Sequence, residues 1–298
     1  MQRAGEVRIG VSGWTYPPWR GQFYPAGLPQ RLELAHAASI FRSIEVNGTF
    51  YGLQKPTTFA RWAAETPDDF VFAVKGPRFI THDQRLAEPA GPLANFLASG
   101  VLRLGPKLGP ILWQLPPSLP FEPHRLETFL ALLPHTTANA AAFAARHEPR
   151  MNGSTWIETD ADRPLRHALE IRHDSYRAPA FIALLRRHRV ALVCADTVDW
   201  PRLMDRTADF AYCRLHGSRE LYRSGYGPDE LARWAARVTA WAAGIAMEDG
   251  AFAGPPGGEA MPSDVFVYFD NTEKLRAPDD AQVLARLVAD AGPGTAHT

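Results

Sequence analysis

Charged side chains interrupt several short apolar runs of this sequence with a period of two. Glu45 alternates with Ile44 and Val46, and the same alternation recurs in three later runs. The charged residues of those runs are Lys75, Glu170, Arg172, Arg214 and His216. A carboxylate next to a cation can act as a general base, and an imidazole can move a proton near neutral pH. Because guanidinium groups also bind phosphate and carboxylate, these residue types predict acid–base chemistry on an anionic ligand.

This pattern predicts one site with catalytic and binding members. The catalytic candidates are Glu45, Glu170, Asp196 and His216, with Glu45 or Glu170 as the base and His216 as the proton partner. The predicted ligand-binding residues are Trp14, Asn47, Tyr51, Lys75, Arg78, His82, Gln114, Arg172, Arg214, Asp270 and Asn271. Structural ion pairs are the competing interpretation of each single residue. They explain the whole set less well, because burying a charge is costly unless it is fully paired.

The aromatic residues after the first apolar run suggest a stacking contact for a sugar or a base. Trp14 shares the parity of Gly10 and Ser12, so we predict that its ring faces the ligand. The later segment 218–227 contains Tyr222 and Tyr226 and could close over the site as a lid, although an ordinary polar loop fits it equally well.

A divalent cation is an alternative use of the same polar set. Glu45, Glu170, Asp196, His216 and Asp270 carry oxygen and nitrogen donors that Mn, Mg or Zn accept. No closely spaced histidine pair supports such a centre. We therefore assign no metal ligands, and a divalent metal stays open as a cofactor.

The elements that must position these residues alternate regularly along the chain. Strands are predicted at 7–14, 43–51, 70–77, 108–116, 167–173, 190–196, 210–217 and 264–271. Helices are predicted at 30–41, 57–65, 93–104, 124–133, 178–188, 228–243 and 279–289, with a single helical turn at 199–205. Eight such units predict a single-domain TIM-type (β/α)₈ barrel. A doubly wound open sheet is less consistent, because no G-x-G-x-x-G turn follows an early strand.

The barrel geometry then decides where the charges point. The apolar set of each strand must face the helices, so the polar set must face the interior and gather at the carboxyl ends of the strands. Two stretches, 147–164 and 244–262, read as surface insertions on the opposite face of the barrel, and the tail 291–298 as disordered. Cys194 and Cys213 are predicted to lie on opposite parities of adjacent strands and to stay reduced.

Composition excludes several classes of protein. The 298 residues carry 32 basic and 32 acidic side chains, and this zero net charge does not favour a nucleic-acid partner. Two cysteines are too few for a disulfide scaffold. No apolar run has the length of a membrane helix or a signal peptide, so we expect a cytoplasmic protein whose partner is a small molecule. Nothing in the sequence predicts an oligomeric state.

Several motifs in order resemble the DUF72 (YecE-like) family over about residues 8–290. They are GVSGW (10–14), IEVNGTFY (44–51), FAVKGPRFITH (72–82), LGPILWQLPP (108–117), ALEIRH (168–173), RLHG (214–217) and YFDN (268–271). The resemblance implies a TIM-like barrel and implies no reaction, since the family is one of unknown function. Two positions depart from the family pattern: Gly48 replaces a usual Ser, and Asp270 replaces the first of two usual Asn residues.

Three functions remain open at this stage. The favoured one is an enzyme that acts on a small anionic or sugar-like metabolite at the carboxyl-end mouth of the barrel. The second is a metal-dependent isomerase or a phosphodiesterase/endonuclease-like barrel. The third is a ligand-binding barrel without catalysis. For the site itself, Glu170→Gln and Arg214→Met are expected to abolish ligand binding and to cost little stability.

Overall fold

The structure is a computed structural model of the chain and describes residues 4–217, 219–247, 249–255, 261–272 and 275–291. Eight parallel strands form a closed barrel in chain order, with β8 hydrogen-bonded to β1. The strands are β1 (Val7–Ser12), β2 (Ser43–Val46), β3 (Val71–Lys75), β4 (Leu108–Gln114), β5 (His167–Glu170), β6 (Ala191–Asp196), β7 (Phe210–Leu215) and β8 (Asp264–Phe269). The predicted (β/α)₈ architecture is confirmed.

Nine α-helices of the described chain surround this barrel. They are α1 (Glu33–Ile40), α2 (Gly48–Tyr51), α3 (Pro56–Ala64), α4 (Ala90–Ala98), α5 (Pro123–Leu132), α6 (Thr137–Ala144), α7 (Pro179–Arg187), α8 (Pro228–Ala243) and α9 (Arg276–Ala291). Four of them begin with a proline, a residue that fits the first helical position because the N–H it lacks has no partner there. Within the described residues no helix is both long enough and apolar enough to cross a membrane.

The alternation of each strand divides the buried side chains into two layers. The outer layer packs between the strands and the helices, with Ile44, Val46 and Leu169 among its members. The inner layer fills the amino-end half of the barrel and includes Phe210 and Phe266. The inward positions nearer the carboxyl ends are the charged ones, as the sequence pattern predicts.

The second strand is shorter than predicted. It ends at Val46, and residues 48–51 form the single helical turn α2. The sequence reads as an extended run because Thr49, Phe50 and Tyr51 are β-branched or aromatic residues. Helix α6 is not predicted at all, since its alanine-rich sequence has little amphipathic pattern.

The connection from β6 to β7 contains no helix, in contrast to the helical turn predicted at 199–205. The segment 249–255 covers this flank of the barrel instead. Leu203 forms a β-bridge with Ala251. The Asp205 carboxylate accepts the backbone N–H groups of Ala253 and Gly254 at 2.8 and 2.9 Å. The prediction that all of 244–262 lies on the face opposite the site is therefore wrong for this segment, and residues 248 and 256–260 lie outside the described chain.

The other predicted insertion, 147–164, packs along α4 at Glu148, and its later part lies at the amino end of the barrel. Its Trp156 forms a bridge with Ser99, and Pro164 forms one with Thr136 just before β5. The predicted tail, apart from its first residue, lies outside the described residues. The two cysteines face one another: Cys194 and Cys213 are direct partners in the β6–β7 register, both in the outer layer and both free thiols. The prediction of opposite parities is wrong, because the stagger between strands was not readable from sequence.

Candidate functional site

A single guanidinium group organises the charges inside the barrel. Arg214, fully buried on β7, donates to both oxygens of Glu45, with a shortest distance of 2.9 Å. It also donates to Glu170 at 2.5 Å and to Asp270 at 2.8 Å. Three carboxylates from β2, from β5 and from just beyond β8 therefore converge on one cation. We call Arg214, Glu45, Glu170 and Asp270 the charged floor.

Glu45 is the most fully hydrogen-bonded member of the charged floor. Besides Arg214, it accepts hydrogen bonds from the Ser12 hydroxyl at 2.7 Å and from the Tyr212 hydroxyl at 2.6 Å. A carboxylate with this many donors holds its neighbours in position, and its lone pairs are already used by them. The geometry favours a positioning role for Glu45 over the predicted catalytic one.

Glu170 connects the charged floor to the mouth of the barrel. It accepts a hydrogen bond from Arg172 Nε at 2.7 Å, and the Arg172 guanidinium lies 3.7 Å from the centre of the Trp200 ring. Burial favours the neutral acid, but Arg172 and Arg214 outweigh it and hold the pKa of Glu170 well below its usual value. Glu170 is therefore ionised at neutral pH.

His216 lies beside the charged floor and is fully buried. Its Nδ1 is 3.1 Å from Asp270 Oδ2, but the two groups are not aligned for a hydrogen bond. Burial and the positive charge of Arg214 lower the pKa of His216, so the imidazole is neutral at pH 7. Burial would raise the pKa of Asp270, but Arg214 and His216 lower it to about 2.

Lys75, the last residue of β3, points inward and lies closer to the mouth. Its Nζ lies 4.2 Å from the centre of the Phe50 ring. Burial and the nearby Arg214 lower the pKa of Lys75 to about 8. The next residue, Gly76, has no room for a side chain, because a Cβ atom there would lie 2.3 Å from the Trp113 ring.

His82 and Gln114 form a polar pair on the same side of the mouth. Gln114 Nε2 lies 3.4 Å from His82 Nε2, and His82 Nδ1 lies 2.9 Å from the Thr81 hydroxyl. Burial and Lys75 lower the pKa of His82 to about 4, so this imidazole is also neutral at pH 7. A π-helical turn, Phe79–Asp83, presents His82 to the mouth, and such turns often occur at functional sites.

Some buried polar atoms of the mouth have no hydrogen-bond partner among the described residues. They are both ring nitrogens of His216 and Oδ1 of Asn47. Buried polar groups in native proteins are almost always hydrogen-bonded, so unpaired ones indicate where a ligand or an ordered water binds. The neutral imidazole beside Asp270 therefore keeps ring nitrogens that are not used by the described residues.

Two predicted members lie outside the barrel interior. Asp196 is on the outward face of β6, where it accepts hydrogen bonds from Trp234 Nε1 at 3.1 Å and from Arg202 at 2.8 Å. Asn271 is also turned outward and donates to Asp280 at 2.9 Å. The prediction that these two side chains point into the barrel is wrong, because each shares the parity of the outer layer of its strand. Asp196 lines a separate groove of about 630 Å³ on the flank of the barrel.

Three other predicted residues lie at the periphery. Trp14 follows Gly13, whose φ of +80° ends the strand alternation, and its ring packs edge-on against Trp62 of α3. The inward parity predicted for Trp14 is therefore wrong. Tyr51 is 77 % exposed. Arg78 is half exposed and pairs with Asp83 at 3.2 Å.

Several residues that build the site could not be predicted from sequence. Ser12 and Tyr212 have the correct inward parity, but an isolated hydroxyl is too common a feature to indicate a hydrogen bond to Glu45. Trp200 is placed by the helix-free β6–β7 connection, where the sequence predicts a helical turn. In the suggested lid, Tyr222 lies against His216 with ring centroids 5.4 Å apart. Residue 218 is outside the described chain.

The donor set is arranged around a guanidinium rather than around a metal ion. In the described residues no group of three or more His, Cys, Asp or Glu side chains has the geometry of a metal site. The carboxylates that a cation would need are directed at Arg214 instead.

The fold and this site define a class: a (β/α)₈ barrel with a buried charge network at the carboxyl ends of its strands. A family model described as "Protein of unknown function DUF72" matches residues 8–297. The chain belongs to the DUF72 family.

Relatives with curated names match part of the chain. UPF0759 protein YecE of Escherichia coli K12 is 33 % identical over 129 residues, which is 43 % of this chain and 44 % of that protein. UPF0759 protein YunF of Bacillus subtilis is 28 % identical over 37 % of this chain and 40 % of its own length. The chain thus aligns with less than half the length of these relatives.

Solved structures of the same family share the fold. The DUF72 protein TM1631 of Thermotoga maritima superposes with a TM-score of 0.69 at 22 % identity, covering 95 % of this chain and 99 % of that one. The DUF72 protein EF0366 of Enterococcus faecalis gives a TM-score of 0.65 at 17 % identity, covering 97 % and 99 %.

Proposed function

We propose that this barrel is an enzyme that binds a small anionic or polyhydroxylated metabolite at its mouth and moves a proton on it. The observation that carries the proposal is the unpaired state of His216 among the described residues. A fully buried imidazole lies beside the charged floor and has two nitrogens without hydrogen bonds to the described residues. Such a group is costly in a purely structural core and useful in a binding site.

The charge distribution supports an anionic or hydroxylated ligand. Arg172 uses only Nε for Glu170 among the contacts of the described residues, so the rest of its guanidinium can bind a phosphate or carboxylate. The Trp200 ring beneath it keeps that plane oriented. Asp270 keeps 13 % of its side chain exposed and can accept a hydrogen bond from a ligand hydroxyl.

In this proposal each buried group has one task. His216, neutral at pH 7, takes the proton from the ligand. Asp270 stabilises the imidazolium that forms, because its carboxylate lies 3.1 Å from Nδ1. Glu45 holds Arg214 in place, and Glu170 does the same for Arg172.

Binding of defined probes tests the proposal. Isothermal titration with inorganic phosphate, glycerol 3-phosphate, malate and ribose 5-phosphate should give at least one saturable interaction. Arg172→Gln should weaken that interaction at least about tenfold, or about 1.4 kcal/mol. The matched control is Arg166→Gln, since Arg166 pairs with Asp264 at the amino end of the barrel and should stay within about twofold.

The outcomes separate the competing functions. Equal losses in both variants, or no binding to the native protein, would contradict a site at the mouth. Binding without any change of the probes in NMR spectra would favour the non-catalytic barrel. Turnover that disappears with a chelator and returns with Mn or Mg would favour the metal-dependent alternative.

A further inference from the structure

We infer that Lys75 is a nucleophile that forms an imine with a carbonyl group of the ligand, so that the ligands of this barrel are aldehydes or ketones that also carry anionic or hydroxyl groups. The inference rests on the proposed function and names its substrate class.

Two lysines of this chain are buried to the same extent and differ in what surrounds the amino group. Lys75 and Lys107 are each 7 % exposed. Lys107 Nζ donates hydrogen bonds to the backbone oxygens of Ala63 at 2.6 Å and Thr66 at 2.7 Å. It is a typical structural lysine, whose charge is fully hydrogen-bonded.

Lys75 has no such partners in the part of the chain that the structure describes. Its amino group faces the Phe50 ring, 4.2 Å from the ring centre, and forms no hydrogen bond or ion pair with the described residues. The three carboxylates nearby, Glu45, Glu170 and Asp270, are directed at Arg214. An amino group that is buried at the mouth and bound to no acceptor is free to attack a ligand.

The electrostatic surroundings increase the fraction of neutral amine, which is the reactive form. Burial and Arg214 lower the pKa of Lys75 to about 8. At pH 7.4 about one fifth of Lys75 is then neutral, compared with about one part in a thousand of an ordinary lysine. A lysine in a desolvated site beside another cation is a known way to obtain an amine nucleophile.

The reaction needs no co-reactant. The Lys75 nitrogen attacks the carbonyl carbon and forms a C–N bond. The carbonyl oxygen leaves as water with the two protons that the ammonium nitrogen loses on its way to the protonated imine. Charge is conserved, because an ammonium ion and a neutral carbonyl give an iminium ion and water.

The same surroundings suit the product. The iminium charge replaces the ammonium charge near Glu45, Glu170 and Asp270, so the net charge around the charged floor does not change. The Phe50 ring that faces the ammonium can face the iminium in the same way. A protonated imine acidifies the adjacent C–H bonds, and the neutral His216 would then have a proton to remove.

Reductive trapping on the full chain tests the inference. The probes are glyoxylate and dihydroxyacetone phosphate with sodium cyanoborohydride, followed by intact mass and peptide mapping. The chain has four lysines, at positions 55, 75, 107 and 274, so the modified one is identified directly. We expect one adduct per chain, at Lys75, formed at least about tenfold faster than at Lys55. The initial rate should rise with pH to a plateau above about pH 8, which reflects the lowered pKa of Lys75.

Variants distinguish a reactive lysine from a structural one. Lys75→Arg keeps a positive charge, and Lys75→Met removes it. Both should lose the adduct while their circular dichroism and melting remain those of a folded barrel. Lys55→Arg is the matched control and should be trapped like the native chain.

The failure of this inference can be told apart from the failure of the proposed function. Modification of Lys55 as fast as Lys75, or no adduct at Lys75 at saturating probe, would overturn the imine. If glycerol 3-phosphate still binds in an Arg172-dependent manner, the site at the mouth stands without covalent chemistry. If neither binding nor trapping occurs, both proposals are wrong.

Discussion

The two halves of the barrel interior are built by the same eight strands and are stabilised in opposite ways. The amino-end half is an apolar plug in which Phe266 packs against Phe210 and Tyr212. The carboxyl-end half is the charged floor around Arg214. Apolar burial tolerates imperfect geometry, whereas a buried charge network is stable only when every partner is present. The amino-end half therefore stabilises the fold, and the carboxyl-end half holds the charged groups of the candidate site at a cost in stability.

The most severe way to test this comparison is Arg214→Met. Three carboxylates would then be buried without their common cation, so we expect a loss of about 3–5 kcal/mol in the free energy of unfolding. This reverses the small cost that the sequence alone suggests for this substitution. Chemical denaturation at pH 7 measures it, and a loss below about 1 kcal/mol would show that the floor is not a closed network.

The pH dependence of Arg214→Met gives an independent check. Without the guanidinium, which lowers the pKa values of Glu170 and Asp270 in the native chain, burial and mutual repulsion raise these two pKa values above their unfolded values of about 4. Groups with raised folded pKa values contribute stability below the unfolded pKa and lose it as pH rises through the folded pKa. The deficit of the variant should therefore be smallest near pH 4 and grow towards pH 7, with the native chain as the reference.

Phe266→Ala removes the centre of the apolar plug. We expect a loss of about 3 kcal/mol that stays constant between pH 4 and 7, because no titrating group is uncovered. Affinity for any probe that binds at the mouth should stay within about twofold. A pH-dependent loss, or a large loss of affinity, would mean that the two halves are coupled.

Lys75→Met should stabilise the protein by about 1–3 kcal/mol at pH 7. The pKa of Lys75 is about 8 in the fold and 10.5 as a free side chain, so the buried charge destabilises the native chain. Because this folded pKa is lowered, the native chain regains stability as pH rises from about 8 to 10.5, and the advantage of the variant fades there. Lys107→Met is the matched control. It should be destabilising both at pH 7 and near pH 10.5, since it leaves backbone oxygens unpaired.

Tyr51→Ala should have the smallest effect. The ring is 77 % exposed and touches the site only through Phe50. We expect a change within about 0.5 kcal/mol in stability and within about twofold in probe affinity. A tenfold loss of affinity in titration calorimetry would return Tyr51 to the set of ligand-binding residues.

The alternation of residue types predicted the barrel fold and the inward direction of the residues of the charged floor. It could not predict positions that depend on strand ends or on contacts between strands. Period-two reasoning holds wherever the backbone stays extended, so Glu45, Lys75, Glu170, Arg172, Arg214 and His216 all face inward as expected. It fails where a strand ends. Gly13 turns Trp14 away. It was also insufficient in β6, where both alternating sets are apolar before Asp196 and do not indicate which set faces inward; Asp196 shares the outward side with Leu192 and Cys194.

Relations between strands were less accessible than relations within them. The Cys194–Cys213 register depends on the stagger of two strands, which no local pattern encodes. Trp200 reaches Arg172 from a connection without regular structure. The shared role of Arg214 follows from three contacts that are 44, 56 and 169 residues apart in sequence.

The helix-free β6–β7 connection has a consequence for the order in which the chain can fold during synthesis. The flank over Leu203 and Asp205 is covered by Ala251 and Ala253, which lie after α8. A nascent chain that has just completed β7 must therefore leave the segment around Leu203 and Asp205 uncovered until about forty further residues have emerged. A pause in translation within α8 would leave this segment exposed. Truncated chains that end before residue 250 should therefore aggregate much more than longer ones.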